Sequence, residues 1–175
     1  MTEAQLSNAM DAYGSTVYRL GLTRMQNIAD AEDVYQEVFL RLWKQAAEDW
    51  DGDRAKAWLI RTTLNRCADL HRFHLRRPVL SFAEIPDLAQ PEDESRELWE
   101  AVSRLPEKAR TAVHLYYAEG YSAEEISQLM HIPAATVRTR LHRARKQLKE
   151  LLGGIDDETC VSRSDGTNFG PQRAE

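Results

Sequence analysis

The chain has 175 residues, of which 42% are hydrophobic and 29% are charged, and its formal net charge is −5 at pH 7. That length allows one or two small domains, and the two cysteines, Cys67 and Cys160, are too few for a disulfide framework. The sequence contains neither a run of 18 uncharged apolar residues nor a secretory signal, so we expect an intracellular protein without membrane insertion.

Helical apolar periodicity runs through most of the chain and predicts an all-α fold. Short alternating runs rich in Val, Ile and Thr, which are typical of strands, are missing. Residues 4–25 predict one or two helices, with their glycines as weak points. A second helix is predicted over residues 31–46, with Asp30 as its N-cap, and a third over residues 54–74. The apolar stripe expected on the second helix is Val34, Val38 and Leu42, with Phe39 and Trp43 beside it.

Prolines spaced through a polar, acidic stretch divide the chain into two small helical domains. They prevent a continuous helix, so we predict a flexible linker over residues 78–94. The predicted domains are then residues 1–77 and 95–152. Residues 153–175 are polar with one aromatic and predict a disordered tail.

The second domain contains a short helix, a tight turn and a long basic helix. Ser122 and Glu125 have the S-x-x-E spacing of a capping box at the start of the short helix. The tripeptide "HIP" predicts the turn, and Pro133 suits the first turn of the next helix. The stretch "TVRTRLHRARKQLK", residues 136–149, has six arginines and lysines and no acid. This arrangement predicts a helix-turn-helix whose second helix enters the DNA major groove.

The exposed face expected for this basic helix has the side chains that DNA recognition requires. Arginine pairs bidentately with guanine edges, threonine and histidine contact bases or phosphates, and further basic residues neutralise phosphates. Surface helices generally alternate their charges, so a basic face without acids favours nucleic-acid binding over a purely solvated role. We predict base contacts by Arg138, Thr139, His142 and Arg143, contacts nearer the phosphates by Arg140, Arg145 and Lys146, and a further DNA contact by Ser122.

The segment "LPEKARTAVHLYYAEGYSAEEISQLMHIPAATVRTRLHRARKQLKELL" closely resembles region 4 of bacterial sigma factors of the sigma-70 family, extracytoplasmic-function (ECF) type. The segments "DAEDVYQEVFLRLWK" and "AWLIRTTLNRCADLHR" resemble the two halves of region 2. Together these segments cover about residues 8–152, in the family's order. The chain departs from the family in the turn, where His131 and Ala135 replace two common glycines. Histidine tolerates a positive φ better than branched residues do, so we expect the turn to survive.

The resemblance implies a sigma factor that binds core RNA polymerase in the bacterial cytoplasm, reads −35 and −10 promoter elements and promotes DNA melting. Region 2 of the family binds the clamp helices of the β′ subunit, and region 4 reads the −35 duplex and meets the flap of the β subunit. An anti-sigma factor is a further implied partner. No cofactor and no catalytic residue is implied, since nucleotide addition belongs to the polymerase. The implied polymerase contacts on the second helix are Asp33, Gln36, Glu37, Leu40 and Arg41.

The resemblance places capture of the melted −10 strand on the third predicted helix and the loop that follows it. A flipped-out base needs polar groups for its edge and a surface for stacking. The pocket is expected around Asn65 and residues 74–80. Trp58 is interpreted as a core residue, whereas Phe73 suits either the core or stacking. The candidate −10 contacts are Arg61, Asn65, Arg66, Asp69, Arg72, Phe73, Arg76 and Arg77.

Three alternative hypotheses use other parts of the sequence. Cys67, His71 and His74 share one side of a helix and could ligate zinc, although a fourth ligand is not evident. A stand-alone helix-turn-helix regulator would bind duplex DNA without polymerase, usually as a dimer on a palindrome. That hypothesis leaves the exposed face of residues 31–46 without a use. A protein-interaction module that has lost DNA binding conflicts with the intact basic helix.

Overall fold

The computed structural model describes residues 2–45, 52–76 and 93–153, without the side chains of residues 53, 76 and 93–96. Within these ranges all regular structure is helical, which confirms the predicted all-α fold. The helices are α1 (Glu3–Met25), α2 (Ile28–Lys44), α3 (Gly52–Arg76), α4 (Asp93–Ser103), α5 (Glu107–Val113), α6 (Ala123–Met130) and α7 (Ala134–Leu151). A π-helical turn at His114–Ala118 continues α5. The predicted tail beyond residue 153 and residues 78–92 of the predicted linker lie outside the described residues.

The glycines predicted as weak points of the first helix lie instead where α1 crosses α2. Residues 3–25 form one uninterrupted helix. A Cβ atom at Gly21 would lie 3.6 Å from the Cα atom of Ala31, and one at Gly14 would lie 3.0 Å from the Tyr35 hydroxyl. Small residues at the crossing therefore allow close packing, and this packing compensates for the low helix propensity of glycine.

The N-cap of α2 is Asn27, so the prediction that Asp30 caps this helix was wrong. The Asn27 side-chain oxygen accepts a hydrogen bond from the backbone N–H of Asp30 at 3.0 Å, and Asn27 itself has extended backbone. Asp30 lies inside the first turn, where a negative charge is favourable near the helix N-terminus. The helix thus begins three residues before the predicted residue 31.

Two hydrophobic clusters hold the described helices together. One lies among α1, α2 and α3 and contains the predicted stripe of α2, whose members Val34, Val38 and Leu42 are fully buried. The other joins α5, α6 and α7 to one side of α1 and α3. We call α1–α3 the N-terminal half and α4–α7 the C-terminal half. The second cluster therefore packs the two halves against each other.

Candidate nucleic-acid interface

The helix-turn-helix begins with the capping box that the sequence predicted. The Ser122 hydroxyl accepts a hydrogen bond from the Glu125 N–H at 3.2 Å, and the Ser122 N–H donates to the Glu125 carboxylate at 2.8 Å. Helix α6 then ends at His131, which has φ 51° and ψ 48°. This left-handed residue turns the chain into α7, so histidine does here what glycine commonly does in such turns.

Helix α7 presents its basic residues on the side opposite its buried stripe. Val137, Leu141 and Ala144 are buried at helical spacing and fix the rotation of the helix against α5 and α6. The predicted DNA contacts Arg138, Thr139, His142, Arg143, Arg145 and Lys146 are exposed, as is Ser122, and Arg140 is half-buried. The predicted −35 contacts on α7 other than Arg140 are therefore accessible along the exposed side of this helix.

Arg138 has a partner in the described structure. Its guanidinium pairs with the Glu124 carboxylate of α6, and both side chains are about 60% exposed. An exposed pair of this kind is worth about 0–1 kcal/mol, so a guanine edge could replace the carboxylate. The sequence analysis missed Glu124, because its partner lies 14 residues away across the turn.

The predicted −10 contacts line the outer face of α3. Arg61, Asn65, Asp69 and Arg72 are exposed, and the guanidinium of Arg72 lies 3.2 Å from the Asp69 carboxylate. Arg66 is half-buried, and its buried Nε lacks a hydrogen-bond partner. Arg76 ends α3, and Arg77 lies outside the described residues.

An open cleft of about 620 Å³ lies between α2 and this face of α3. Phe73 lies at the wall of the cleft and is 49% exposed, so its ring is accessible and not part of the core. Trp58 instead packs against the N-terminal cluster. The cleft thus combines charged groups with an aromatic surface, as a site for an unstacked base requires. It is lined by Asp33, Arg66, Asp69, Leu70, Arg72 and Phe73.

The outer face of α2 carries the predicted polymerase contacts. Asp33, Gln36, Leu40 and Arg41 are exposed, and half-buried Glu37 accepts a hydrogen bond from Arg41 at 2.9 Å. That hydrogen bond lowers the pKa of the Glu37 carboxyl below its usual value. Trp43, which the sequence placed beside the buried stripe, is 41% exposed and enlarges the apolar surface next to Leu40.

The three residues of the zinc hypothesis do not converge. Cys67 is fully buried in the N-terminal cluster, and burial raises the pKa of its thiol to about 12. The ring of His71 lies 3.8 Å from Glu107, and the ring of His74 lies 3.6 Å from Asp30. The residues that the structure describes contain no group of three metal-binding side chains.

Comparisons with known proteins agree with the resemblance read from the sequence. The family model for sigma-70 region 2 matches residues 9–77, and the model for sigma-70 region 4 matches residues 95–148. The chain is 33% identical over 161 residues to the ECF RNA polymerase sigma factor SigE of Mycolicibacterium smegmatis, covering 86% of this chain and 62% of that protein. It is 32% identical over 155 residues to the ECF RNA polymerase sigma factor SigM of Bacillus subtilis, covering 83% of this chain and 94% of that protein. The chain belongs to the ECF RNA polymerase sigma factors of the sigma-70 family.

The fold also has a counterpart among solved structures. A co-crystal structure of the sigma factor RpoE in complex with the anti-sigma factor NepR from Bartonella quintana matches with a TM-score of 0.71 and 23% identity. The match covers 85% of this chain and 97% of that chain. Among the described helices, none combines the length and apolar character needed to cross a membrane.

Proposed function

We propose that this protein binds core RNA polymerase, directs it to promoters that carry −35 and −10 elements, and promotes melting of the −10 region. The observation that carries the proposal is the combination of two surfaces suited to nucleic acid in one chain. One is the basic face of α7 over residues 136–149, and the other is the cleft beside α3 with its exposed Phe73. One surface recognises duplex DNA and the other binds a single strand. Together they suit a protein that opens DNA at a fixed distance from the duplex element that it recognises.

The proposed −35 interaction is direct readout in the major groove by α7. Arg138, Thr139, His142 and Arg143 contact base edges, while Arg140, Arg145, Lys146 and Ser122 are placed nearer the phosphates. The basic face of α7 supports this assignment, since each phosphate that is neutralised releases counterions and favours binding.

The proposed −10 interaction uses the cleft between α2 and α3. A base leaving the duplex stacks on Phe73, and Asp69 lines the same cleft as a polar group for its edge. Asn65 is the second proposed polar group and lies one helical turn before Asp69 on α3, outside the lining of the cleft. Arg61, Arg66 and Arg72 supply positive charge for the backbone of the displaced strand, with Arg76 and Arg77 where the helix ends. The half-exposed ring of Phe73 supports this assignment.

The proposed protein partners are the polymerase and an anti-sigma factor. Asp33, Gln36, Glu37, Leu40 and Arg41 of α2 dock on the β′ clamp helices, and the C-terminal half meets the β flap. The chain supplies no catalytic group, because the polymerase adds the nucleotides, and the proposed place of action is the bacterial cytoplasm. The RpoE structure contains an anti-sigma factor, which supports a similar inhibitor here.

Run-off transcription with purified core polymerase on a library of promoter fragments tests the proposal. We expect starts that depend on this protein at a subset of fragments sharing two spaced elements. The variant Asn65→Ala should lose transcription starts on duplex templates and retain them on templates that are already melted at the −10 element. Sequence-specific duplex binding by the protein alone, without any starts, would instead establish the stand-alone regulator.

A further inference from the structure

Thr139 projects from the middle of the exposed side of α7. The buried residues of this helix are Val137, Leu141 and Ala144, and the Thr139 side chain is exposed. Successive residues of an α-helix are about 100° apart around its axis, so Thr139 points almost directly away from the buried stripe. A recognition helix contacts base edges through its N-terminal residues. Thr139 is therefore placed to face the bases when α7 lies in the major groove.

The hydroxyl group of Thr139 is already engaged inside the helix. It donates a hydrogen bond to the backbone carbonyl oxygen of Ala135, one turn earlier, at 2.9 Å. A threonine hydroxyl has a single proton to donate. The Thr139 hydroxyl therefore has no proton left for the acceptor groups of a base, such as guanine O6 and N7 or thymine O4. The parts of the side chain that remain for a base are its methyl group and the lone pairs of its oxygen.

The same hydrogen bond fixes the orientation of the Thr139 methyl group. A threonine in a helix has two favoured χ1 rotamers, and a hydrogen bond to the carbonyl four residues earlier selects between them. A side chain that is ordered before binding loses little rotamer freedom when a base arrives. The Thr139 methyl group thus suits recognition by close apolar contact.

Ala135 provides a second methyl group beside that of Thr139. It is exposed, and its position four residues before Thr139 places it on the same side of α7. The β-carbons of residues at this spacing are about 5–6 Å apart. Ala135 also stands where region 4 commonly has a glycine, which would offer no methyl group here. The two side chains form an apolar spot among exposed basic and polar residues, including Arg138 and His142.

Thymine is the base whose major-groove edge fits an apolar spot. Its C5-methyl group lies in the major groove, where the other bases present hydrogen-bond donors and acceptors. Threonine and alanine side chains make apolar contacts with this methyl group. Cytosine has a hydrogen atom at the same position and would leave a gap, in which the dispersion contacts of the methyl group are lost.

Arg138 indicates where in the −35 element this thymine lies. It precedes Thr139 in the chain, and Glu124 holds its guanidinium beside the surface of α7. The Cα atoms of consecutive residues are about 3.8 Å apart, which is close to the rise of ~3.4 Å per base pair. The guanine proposed for Arg138 and the thymine should therefore lie within about two base pairs of each other, on either strand.

We propose that Thr139, assisted by Ala135, selects thymine at one position of the −35 element through contact with its C5-methyl group. The inference rests on the proposed −35 interaction of α7 and adds the identity of one base to it. The competing contact is a hydrogen bond from the amino group of adenine or cytosine to a lone pair of the Thr139 hydroxyl. The two contacts can be separated, because one uses the methyl group and the other uses the oxygen.

Uracil in place of thymine removes the C5-methyl group and leaves the hydrogen-bonding edge of the base unchanged. Run-off transcription uses core polymerase, a limiting concentration of the full-length protein and the −35 sequence preferred in a promoter library. Each thymine of that element is replaced by uracil in turn. One replacement, within two base pairs of the guanine that depends on Arg138, should reduce starts about threefold to fivefold, which corresponds to the return of one methyl group to water. Uracil between the −35 and −10 elements is the control and should have no effect.

Thr139→Val and Thr139→Ser form a matched pair of variants. Thr139→Val retains the methyl group without the hydroxyl and should retain the wild-type ratio of starts from thymine and uracil templates. Thr139→Ser retains the hydroxyl without the methyl group, so its ratio should fall close to one. Ala135→Gly should lower the ratio in part. The ratio is taken within each variant, so a general loss of activity or helix content cancels.

Equal starts from thymine and uracil templates with the wild-type protein would overturn the inference. A ratio that is unchanged in Thr139→Ser would also overturn it, because another residue would then contact the methyl group. Loss of the ratio in Thr139→Val would assign the selection to the hydroxyl. Absence of starts from every template would contradict the proposed sigma-factor activity, and the same comparison on duplexes selected by the protein alone would then decide the base contact. Failure to bind any duplex sequence specifically would overturn both.

Discussion

Arg138 occupies the first turn and a half of α7, and Glu124 holds its guanidinium toward α6. The pair pre-orders a long side chain next to the surface that we propose to face the major groove. Its exposure keeps the pair weak, so exchange for a guanine edge costs little. Arg138 is therefore the best candidate for a residue that selects one base pair rather than DNA in general.

Replacement of Arg138 by alanine should reduce discrimination at one −35 position by about 1–3 kcal/mol, since a bidentate contact to guanine is lost. Transcription from a library of single −35 substitutions measures this loss. Arg145→Ala is the comparison, because loss of a phosphate contact should weaken all sequences about equally and reduce the salt dependence. An equal loss across all sequences in Arg138→Ala would place this residue on the phosphates.

His114 lies where the two halves meet, with its Nδ1 3.1 Å from the Thr23 hydroxyl of α1, and makes the stability of the fold sensitive to pH. Burial lowers the pKa of its imidazole below 6.5, nearby Arg19 acts in the same direction, and Glu119 acts in the opposite one. Its Nε2 lies 3.8 Å from Glu119, which is too far for a hydrogen bond. The folded protein thus keeps the ring neutral, while the unfolded chain binds the proton more readily.

The free energy of unfolding should consequently fall as the pH drops through 6.5, and the effect should level off below the lowered folded-state pKa. Urea unfolding at pH 7.5 and pH 5.5 measures the change. His114→Gln retains a hydrogen-bonding side chain but cannot titrate, so the drop should be smaller. An equal drop in both proteins would assign the pH dependence to other groups.

At the scale of the element, α2 has a buried face that holds the fold and an exposed face that carries the proposed polymerase contacts. Val34, Val38 and Leu42 are fully buried and hold the fold, whereas Leu40 and Trp43 remain exposed among charged residues. An apolar surface rimmed by polar groups is typical of a protein-binding site. The exposed face of α2 can therefore be altered without loss of the fold.

Leu40→Asp should weaken binding to core polymerase at least tenfold and leave the thermal unfolding midpoint nearly unchanged, because this residue is half exposed in the free protein. Competition with labelled wild type for core polymerase measures the binding. Ala29→Asp adds the same charge at an exposed position in the first turn of α2 and should bind normally. Unimpaired binding by Leu40→Asp would move the polymerase contact off this face.

The helices and their caps were predictable from the sequence wherever the pattern involves residues that are close together in the chain. The stripe of α2 and the capping box of Ser122 and Glu125 depend on residues three or four apart, and both are in the structure. The sequence analysis missed Asn27 as the N-cap because it lies before the first turn of the apolar stripe. Asp30 is nearby and is also a residue type that is favoured at N-caps, so the sequence alone did not distinguish the two. The exposure of Trp43 depends on which helices pack nearby, and spacing alone does not determine that.

At the scale of the whole molecule, the docking of the two halves could not be predicted from sequence. Thr16 and Glu119 are 103 residues apart, and no local pattern connects them. The connection also depends on the π-helical turn at His114–Ala118, which departs from the 3.6-residue period by which helices are recognised. The sequence therefore indicated the residues of both proposed nucleic-acid surfaces, while their relative placement required the structure.

A shared core should make the two halves unfold together. Differential scanning calorimetry of the wild-type protein should show one cooperative transition, because the second cluster includes residues from both halves. Lys56 of α3 lies 3.0 Å from the Glu119 carboxylate of the other half, so Lys56→Glu should separate this into two transitions. Lys108→Glu makes the same charge change at an exposed position of α5 and should retain one. Two transitions in the wild-type protein would contradict the coupling.

The π-helical turn gives this coupling an evolutionary consequence. Such a turn contains one residue more than a regular helix requires. In-frame loss of a single codon within 114–118 would regularise the helix and rotate Glu119 by about 100°. The Glu119 carboxylate would then leave Lys56 and Thr16, while α7 and the cleft beside α3 would keep their sequences. A single mutational step could thus weaken the contact between the two halves and leave the sequences of both proposed DNA-binding surfaces unchanged.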